Sequence, residues 1–390
     1  MTSTPDCTTL NLEEKSVDVH EKKCCPDSDD DWEYSKENPR NWSTSKKWTS
    51  MSVVSLYALL APLGSSMMAP ALVQIGTRYD ITNDTILAMT LSIFLLSFAL
   101  GSLTLPPLSE MYGRKWVLHF SNIGFAGFNL VCAFVPNAGA LIAFRFLSGY
   151  PGAGSVSIGG GCVADLFREE ERASAMAIYT LLLSAFAHCE TGPIIGGYVA
   201  QELSVKWVFI IVSAACGVAA VVGLPLLHET YAPVLRRRLA KRADKERGST
   251  LPASTRPITE SKLAYMWTNM TRPIVLLTHS MICFLLALYM AFLYGIYYLM
   301  FAVFASFFQE TYGFSAGAGG LCYLGLGVGF FLSTLVSSRF GDQIYNTLCQ
   351  RNGGVGKPEF RIPSLIFGSF FIPVSLFWYG WSAEAQMHWI

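Results

Sequence analysis

The chain has 390 residues, 52% of them hydrophobic and 14% charged, with a mean hydropathy of +0.38. A soluble globular protein carries charge on about a quarter of its residues, so this composition excludes that class and points to a bilayer as solvent. The formal net charge is zero, from 28 basic and 28 acidic residues, and the basic ones gather in particular loops between nearly uncharged runs, which argues against nucleic acid as a partner.

The first 46 residues are polar and include the acidic run Asp27 to Asp31. They contain no apolar stretch ahead of a cleavage site, so the expectation is a disordered tail without a signal peptide. Cys24 and Cys25 beside Lys22 and Lys23 read as reduced thiols or as an acylation site. The remaining cysteines of the apolar runs fall singly, and their spacing suggests neither a disulfide framework nor a metal site.

A helix needs about 20 apolar residues to cross the hydrocarbon core. Nine stretches meet that condition, at 49–70, 86–107, 116–135, 140–162, 173–199, 207–227, 275–308, 316–338 and 362–381. The seventh is about 34 residues long, near 50 Å at 1.5 Å per residue, and is expected to tilt, protrude or break around Gly295. Arg114, Lys115, Arg168, Arg172, the cluster RRRLAKRADKER, Arg339, Arg351, Lys357 and Arg361 fall in alternate loops, while the opposite loops hold only Arg78 and Lys206. By the positive-inside rule the N-terminus is cytoplasmic.

The long basic segment 228–272, with Pro252 and Pro257, reads as a linker. The organisation expected is a disordered cytoplasmic tail (1–46), a six-helix N-terminal bundle (47–227), a cytoplasmic linker (228–272) and an incomplete C-terminal bundle (273–390). The fold class is thus an all-α membrane protein with about nine complete transmembrane helices. Aromatic-Gly pairs at Tyr112-Gly113 and Phe340-Gly341 suggest two similar turns, hence a six-helix repeat of the kind found in transporters.

Several residues carry candidate chemistry. In the turn EMYGRK, Gly113 allows a tight reversal, and Arg114 and Lys115 can meet Glu110, a helix end or anionic headgroups. Arg145 lies about six residues inside a span, where an arginine costs about 2.5 to 3.5 kcal/mol, so it should face the bundle interior with a partner. The alternative is a structural arginine holding carbonyls. The glycines Gly149, Gly152, Gly154 and Gly159 to Gly161 lack the strand and the Gly-Lys-Ser/Thr of a phosphate loop and read as close helix packing, as does LGLGVGF at 324–330.

In AFAHCETGPIIGGYVA (185–200), His188, Gly192 and Gly196 form one helical stripe, Pro193 loosens the backbone ladder, and Glu190 lies about 200° round the helix from His188. By helical rise Arg145 and Glu190 lie about 9 and 15 Å from the outer surface, within reach of an ion pair or proton-linked contact. Tyr294, Tyr297 and Tyr298 within one turn suit a pocket for flat, partly apolar molecules, or plain core packing. The loops hold no Ser-His-Asp, metal or paired-carboxylate constellation, so an enzyme is not expected.

ENPRNWS, PLSEMYGRK, RFLSGYPGAG, DLFREEERASAMAIY, GPIIGGYVA, HETYAPVLRRRLAKR, LYMAFLYGIYYLMF and PEFRIP together resemble the major facilitator superfamily, in its fungal twelve-span drug:proton antiporter branch, over about residues 37–390. The resemblance implies efflux of small hydrophobic compounds by alternating access, driven by protons, without a cofactor, in a lipid bilayer and most simply the plasma membrane. It implies a conformational latch at Glu110, Gly113, Arg114, Lys115, Asp165 and Arg172. It places proton coupling at Arg145, Glu190 and His188, and a contact between the halves at Gly192, Pro193, Gly196 and Gly197. The substrate cavity would include Tyr294, Tyr297 and Tyr298.

His188 and Glu190 depart from the small or apolar residues of the family pattern, and the chain ends before its last three spans. Two readings therefore stand: an exporter of a drug, toxin or secondary metabolite, or a truncated, non-transporting or regulatory relative. A membrane enzyme ranks third.

Overall fold

Where water is absent a backbone must satisfy its own hydrogen bonds, and a single long apolar segment does so as a helix. The computed structural model describes residues 29–168, 171–172, 174–180, 191–247, 262–353 and 356–385. Among them every regular element is helical. The first part of the chain forms α1 (Asp29–Tyr34), α2 (Thr44–Ser66), α3 (Leu72–Arg78), α4 (Asp84–Tyr112), α5 (Arg114–Cys132) and α6 (Ala138–Leu166). Residues 174–180 are helical, and α7 (Thr191–Glu202) and α8 (Val205–Leu226) follow. Beyond them lie α9 (Ala232–Arg247), α10 (Lys262–His279), α11 (Met281–Tyr312), α12 (Ala316–Arg351) and α13 (Ile362–Glu384). By length and hydropathy α4, α8, α11, α12 and α13 can each cross a membrane.

Polar residues at the ends of the apolar runs start these helices. Asn83 and Asn137 each accept a backbone N–H of the first turn, from Thr85 and Ala140 at 2.8 Å. Ser280 and Ser315 cap α11 and α12 in the same way. Such caps satisfy donors that the helix itself cannot.

The main core gathers Val54, Tyr57, Ala61, Leu118, Phe125, Ile158, Val212 and Cys216 from α2, α5, α6 and α8. A second cluster at the other end joins Met68, Ile75, Leu91, Cys132, Leu141 and Phe209. α4 and α6 pack backbone to backbone: a Cβ on Gly101 would fall on the carbonyl of Tyr150, and one on Gly149 on the carbonyl of Phe94. Glycine packing is thus confirmed in α6; in α12 Gly327 is buried, while Gly325 and Gly329 have nothing within 4 Å of a Cβ.

Five expectations change. Residues 29–46 are not a disordered tail, because Asn38 and Pro39 are buried and α1 and the start of α2 are formed. The linker contains α9 and the beginning of α10. The long apolar run passes unbroken through Gly295, and its interruption falls at Ser280, the cap of α11. Helix α4 continues through Pro106 and Pro107 to Tyr112, which places Glu110 in its last turn. Helix α12 runs on to Arg351, so Phe340-Gly341 sits inside a helix and the second of the two similar turns is absent there. Polar residues that still favour helix carry α4 and α12 past their apolar runs, which hydropathy alone does not register.

Candidate functional site

The tight turn after α4 is a single residue. Gly113 has φ +100°, a left-handed conformation that glycine adopts without a Cβ clash. A Cβ there would also collide with the carboxylate of Glu229. The turn delivers Arg114 into a buried position, 7% exposed. Its backbone N–H donates to Glu229 Oε1 at 2.8 Å, its Nε donates to Asp165 Oδ2, and its Nη1 donates to Ser109 Oγ at 3.1 Å. The guanidinium also lies 5.1 Å over the ring of Tyr231.

Asp165 stands past the end of the apolar run, near the C-terminus of α6. Burial pushes its carboxyl above the usual carboxylate range, and the Arg114 guanidinium pulls it back. Glu229, 5% exposed, also accepts from the Tyr231 N–H at 3.2 Å and faces Arg238 Nη2 at 3.7 Å. Arg114 is therefore held at two points, its guanidinium by Asp165 and its backbone N–H by Glu229, from parts of the chain far apart in sequence. Removing the guanidinium leaves the Asp165 charge uncompensated, while Glu229 keeps Arg238 and the backbone N–H.

The expected latch residues are brought together in part. Arg114 and Asp165 pair directly, and Glu110 is close enough for its charge to bear on Arg114. Lys115 instead donates to the carbonyl of Leu224 at 3.2 Å, and Arg172 reaches the carbonyl of Ala164 at 3.5 Å. Glu229 is a member of the cluster that motif reasoning does not reach. Its one signal in the sequence is an acidic residue just after an apolar run, in HETYAP, opposite a strongly basic turn.

Arg145 is completely buried in α6. Among the described residues its three guanidinium nitrogens have no hydrogen-bond partner. Its carbon lies instead 4.9 Å from the ring of Phe94 and 5.9 Å from that of Phe209. Aromatic faces attract a cation but cannot satisfy its N–H donors. His188 and Glu190 lie outside the described residues, as does the contact expected between Glu190 and Arg145.

Helix α7 is a contact element with two faces. A Cβ on Gly192 would strike Ser66 Oγ, and one on Gly196 would strike the carbonyl of Met67, both at the end of α2. On the other side, a Cβ on Gly197 would strike the carbonyl of Ala316 in α12, and one on Gly320 would lie 2.7 Å from the carbonyl of Pro193. The Gly317 N–H donates to Gln201 Oε1 across this junction at 3.0 Å. Of the four positions expected at a contact between the halves, Pro193 and Gly197 lie against the second part of the chain, whereas Gly192 and Gly196 pack on α2 within the first, because they fall on the opposite face of α7.

The three tyrosines differ in their surroundings. Tyr294 is 51% exposed. Tyr297 stacks on Phe301 with ring centroids 5.9 Å apart and meets Tyr298 edge-on at 5.4 Å. Phe301 packs with Tyr323 and Ala69, and Tyr323 donates to the carbonyl of Phe301 at 2.8 Å. Hollows open elsewhere, one of about 660 Å³ along α13 at Val374, Phe377 and Trp381. Another of about 470 Å³ lies between Leu105, Trp116, Phe120 and Tyr150. The tyrosine stripe accordingly serves aromatic packing in part, the alternative left open by spacing.

The Major Facilitator Superfamily profile fits residues 54–390. The chain is 38% identical to the MFS-type transporter penM of Penicillium rubens over 362 residues, covering 91% of this chain and 69% of that protein. It is 36% identical to the efflux pump radE of Floropilus chiversii over 387 residues, covering 98% and 71%. The efflux pump vrtL of Penicillium aethiopicum is 38% identical over 363 residues, covering 91% and 70%.

Among solved structures, a bacterial homolog of the human lysosomal transporter Spinster, inward-facing and unoccupied, superposes with a TM-score of 0.53 at 15% identity, covering 80% of this chain and 64% of that one. A D-xylose-proton symporter superposes with a TM-score of 0.53 at 14% identity, covering 77% and 70%. The helical architecture, the buried Arg114 cluster and the sequence relatives lead to one assignment: this multi-pass membrane protein belongs to the Major Facilitator Superfamily of transporters.

Proposed function

We propose that the protein is a proton-coupled efflux transporter of small hydrophobic compounds, such as a drug, toxin or secondary metabolite, working by alternating access. The observation that carries the proposal is Arg145, a fully buried arginine whose guanidinium has no hydrogen-bond partner among the described residues. A buried unsatisfied cation at membrane depth is costly and is relieved when a carboxylate or a substrate group comes to it. Proton binding to such a carboxylate would release the arginine again, which couples a proton to a change of partner. Glu190 is the carboxylate we assign to this step, with His188 beside it.

In the same reading Arg114, Asp165 and Glu229 form the latch that closes one end of the N-terminal bundle, with Glu110 nearby and Lys115 and Arg172 holding adjacent backbone. Pro193 and Gly197 form the contact on which the halves move, and Gly192 and Gly196 seat α7 against α2 within the first half. The basic end of the bundle and the N-terminus face the cytoplasm, and the membrane is the plasma membrane. The names efflux pump radE and efflux pump vrtL carried by relatives support the direction of transport.

The test is accumulation of a panel of hydrophobic fluorescent dyes in a fungal host deleted for its own exporters. Cells expressing the protein should retain less dye, and a proton uncoupler should abolish the difference. Arg145→Gln and Glu190→Gln should each abolish it at unchanged membrane abundance. Export that persists undiminished after the gradient collapses refutes proton coupling.

A further inference from the structure

We propose that the segment from Trp32 to Trp48 is a brace that sets the spacing of Asp165 and Glu229 around Arg114. The inference rests on reading those three residues as the latch. The segment's own construction leaves little slack. Asn38 Nδ2 donates to the carbonyl of Trp32 at 3.2 Å and its Oδ1 accepts from the Arg40 N–H at 3.1 Å. Asn41 Nδ2 donates to the carbonyls of Glu33 and Ser35. Residues Pro39–Asn41 make a single tight helical turn. Two asparagines thus fold the segment back on itself before α2 begins.

The outward contacts of this folded unit go to two places. Toward the end of α6, Asn41 Oδ1 accepts from Arg168 Nη2 at 3.0 Å, the ring of Trp48 meets Phe167 at 5.3 Å, and Lys47 Nζ stands 3.9 Å from Glu171 Oε2. Toward the end of α8, the ring of Trp42 meets His228 edge-on at 5.9 Å, and the Arg236 guanidinium lies 4.8 Å over Trp32. Phe167 and Arg168 follow Asp165 by two and three residues, and His228 immediately precedes Glu229. The segment therefore grips the chain beside each carboxylate and ties the two turns together from outside. Arg40 also lies near enough for its charge to act on Asp165.

A strut between two points fixes their distance. These contacts are to the turns after α6 and α8 and to the start of α9, so the brace can stay docked while another part of the molecule moves. Its effect on the latch is indirect, and Asn41 and Trp42 are positioning residues.

Cys162 reports the state of the latch without any substrate. Its side chain is fully buried in α6, and Thr230 Oγ1 lies 3.9 Å from its sulfur. A Cβ on neighbouring Gly161 would be 2.9 Å from the Arg114 guanidinium. Cys132, 1% exposed in the cluster at the other end of the bundle, serves as an internal control. The experiment labels the full chain in its membrane with N-ethylmaleimide and reads the rate at each cysteine by mass spectrometry.

Asn41→Ala combined with Trp42→Ala should raise the Cys162 rate about tenfold, equivalent to about 1.4 kcal/mol, and leave Cys132 unchanged. Trp42→Phe, which keeps a ring against His228, should stay within about twofold of the natural chain on the scale of a single edge-on ring pair. Asp165→Asn should raise the Cys162 rate by itself, and adding the Asn41 and Trp42 changes should then add nothing. If Asp165→Asn acts and the double change does not, the brace is wrong and the latch stands. If Asp165→Asn has no effect, the latch reading fails and the brace falls with it. A parallel rise at Cys132 means general loosening and also overturns the brace.

Discussion

Replacing Gly196 by alanine should destabilise the protein, whereas the same change at Gly295 should not. An ideal Cβ on Gly196 lies 2.7 Å from both the carbonyl carbon and the Cα of Met67, and nearer still to its oxygen. Carbon atoms in ordinary contact stand about 3.5 to 4.0 Å apart, and these are backbone atoms that no rotamer change can move. α7 must therefore retreat from α2 by about 1 Å, which places the cost at the upper end of the roughly 1 to 3 kcal/mol typical of overpacking. Alanine returns about 1 kcal/mol of helix propensity. The net loss is about 2 kcal/mol, or about a thirtyfold shift in the folded ratio. A Cβ on Gly295 meets nothing within 4 Å, so Gly295→Ala should be neutral or stabilising by up to about 1 kcal/mol. Reversible unfolding of the purified full chain in mixed micelles, titrated with sodium dodecyl sulfate, compares the two. Equal stability of the Gly196→Ala and Gly295→Ala proteins would refute the packing argument.

Other expectations follow from single contacts. Arg114→Gln deprives Asp165 of its cation and leaves the backbone bond to Glu229 in place, and should cost about 3 kcal/mol, the lower end for breaking a buried pair; the same titration checks this, and an unchanged midpoint contradicts it. Tyr57→Phe removes the 2.9 Å hydrogen bond between the Tyr57 hydroxyl and His119 Nδ1 in the core, leaving a buried ring nitrogen unpaired at a cost of about 1 to 3 kcal/mol. Thermal unfolding followed by thiol labelling should show the loss first near Cys216, and a midpoint equal to that of the natural chain would sink it. Asn137→Ala removes the cap of α6 and should cost about 1 kcal/mol, less than Arg114→Gln; a loss as large as that of Arg114→Gln would contradict a simple cap.

Much of this architecture is legible in the amino-acid sequence, because apolar runs between charged turns leave few alternatives to a helical membrane bundle. The position of Arg145 and its burial follow from one charged residue inside such a run. The close approach at Gly192 and Gly196 likewise follows from spacing. Glu229 is hidden from such reasoning because its partner is 115 residues away in the chain, and no periodicity links them. The ordered segment around Asn38 and Asn41 escapes for the opposite reason: its order comes from side-chain bonds to its own backbone and to other turns, and polar composition reads as disorder. For Tyr297 the sequence leaves pocket and packing both open, since spacing along α11 cannot say which neighbour covers it. Hydropathy also ends α12 too early, because polar residues from Ser338 onward still propagate a helix.

The junction of α7 with α12 has a mechanical consequence. Interlocked side chains act as gear teeth, and surfaces so meshed must disengage before they can slide. Here Gly197 meets the carbonyl of Ala316, and Gly320 meets that of Pro193, so backbone rests on backbone. Such a surface is a plain bearing. It resists compression and offers little to shear, and the Gln201 bond to the Gly317 N–H is a pin across it. A larger side chain at Gly197 or Gly320 would add a tooth to one side with no matching socket on the other.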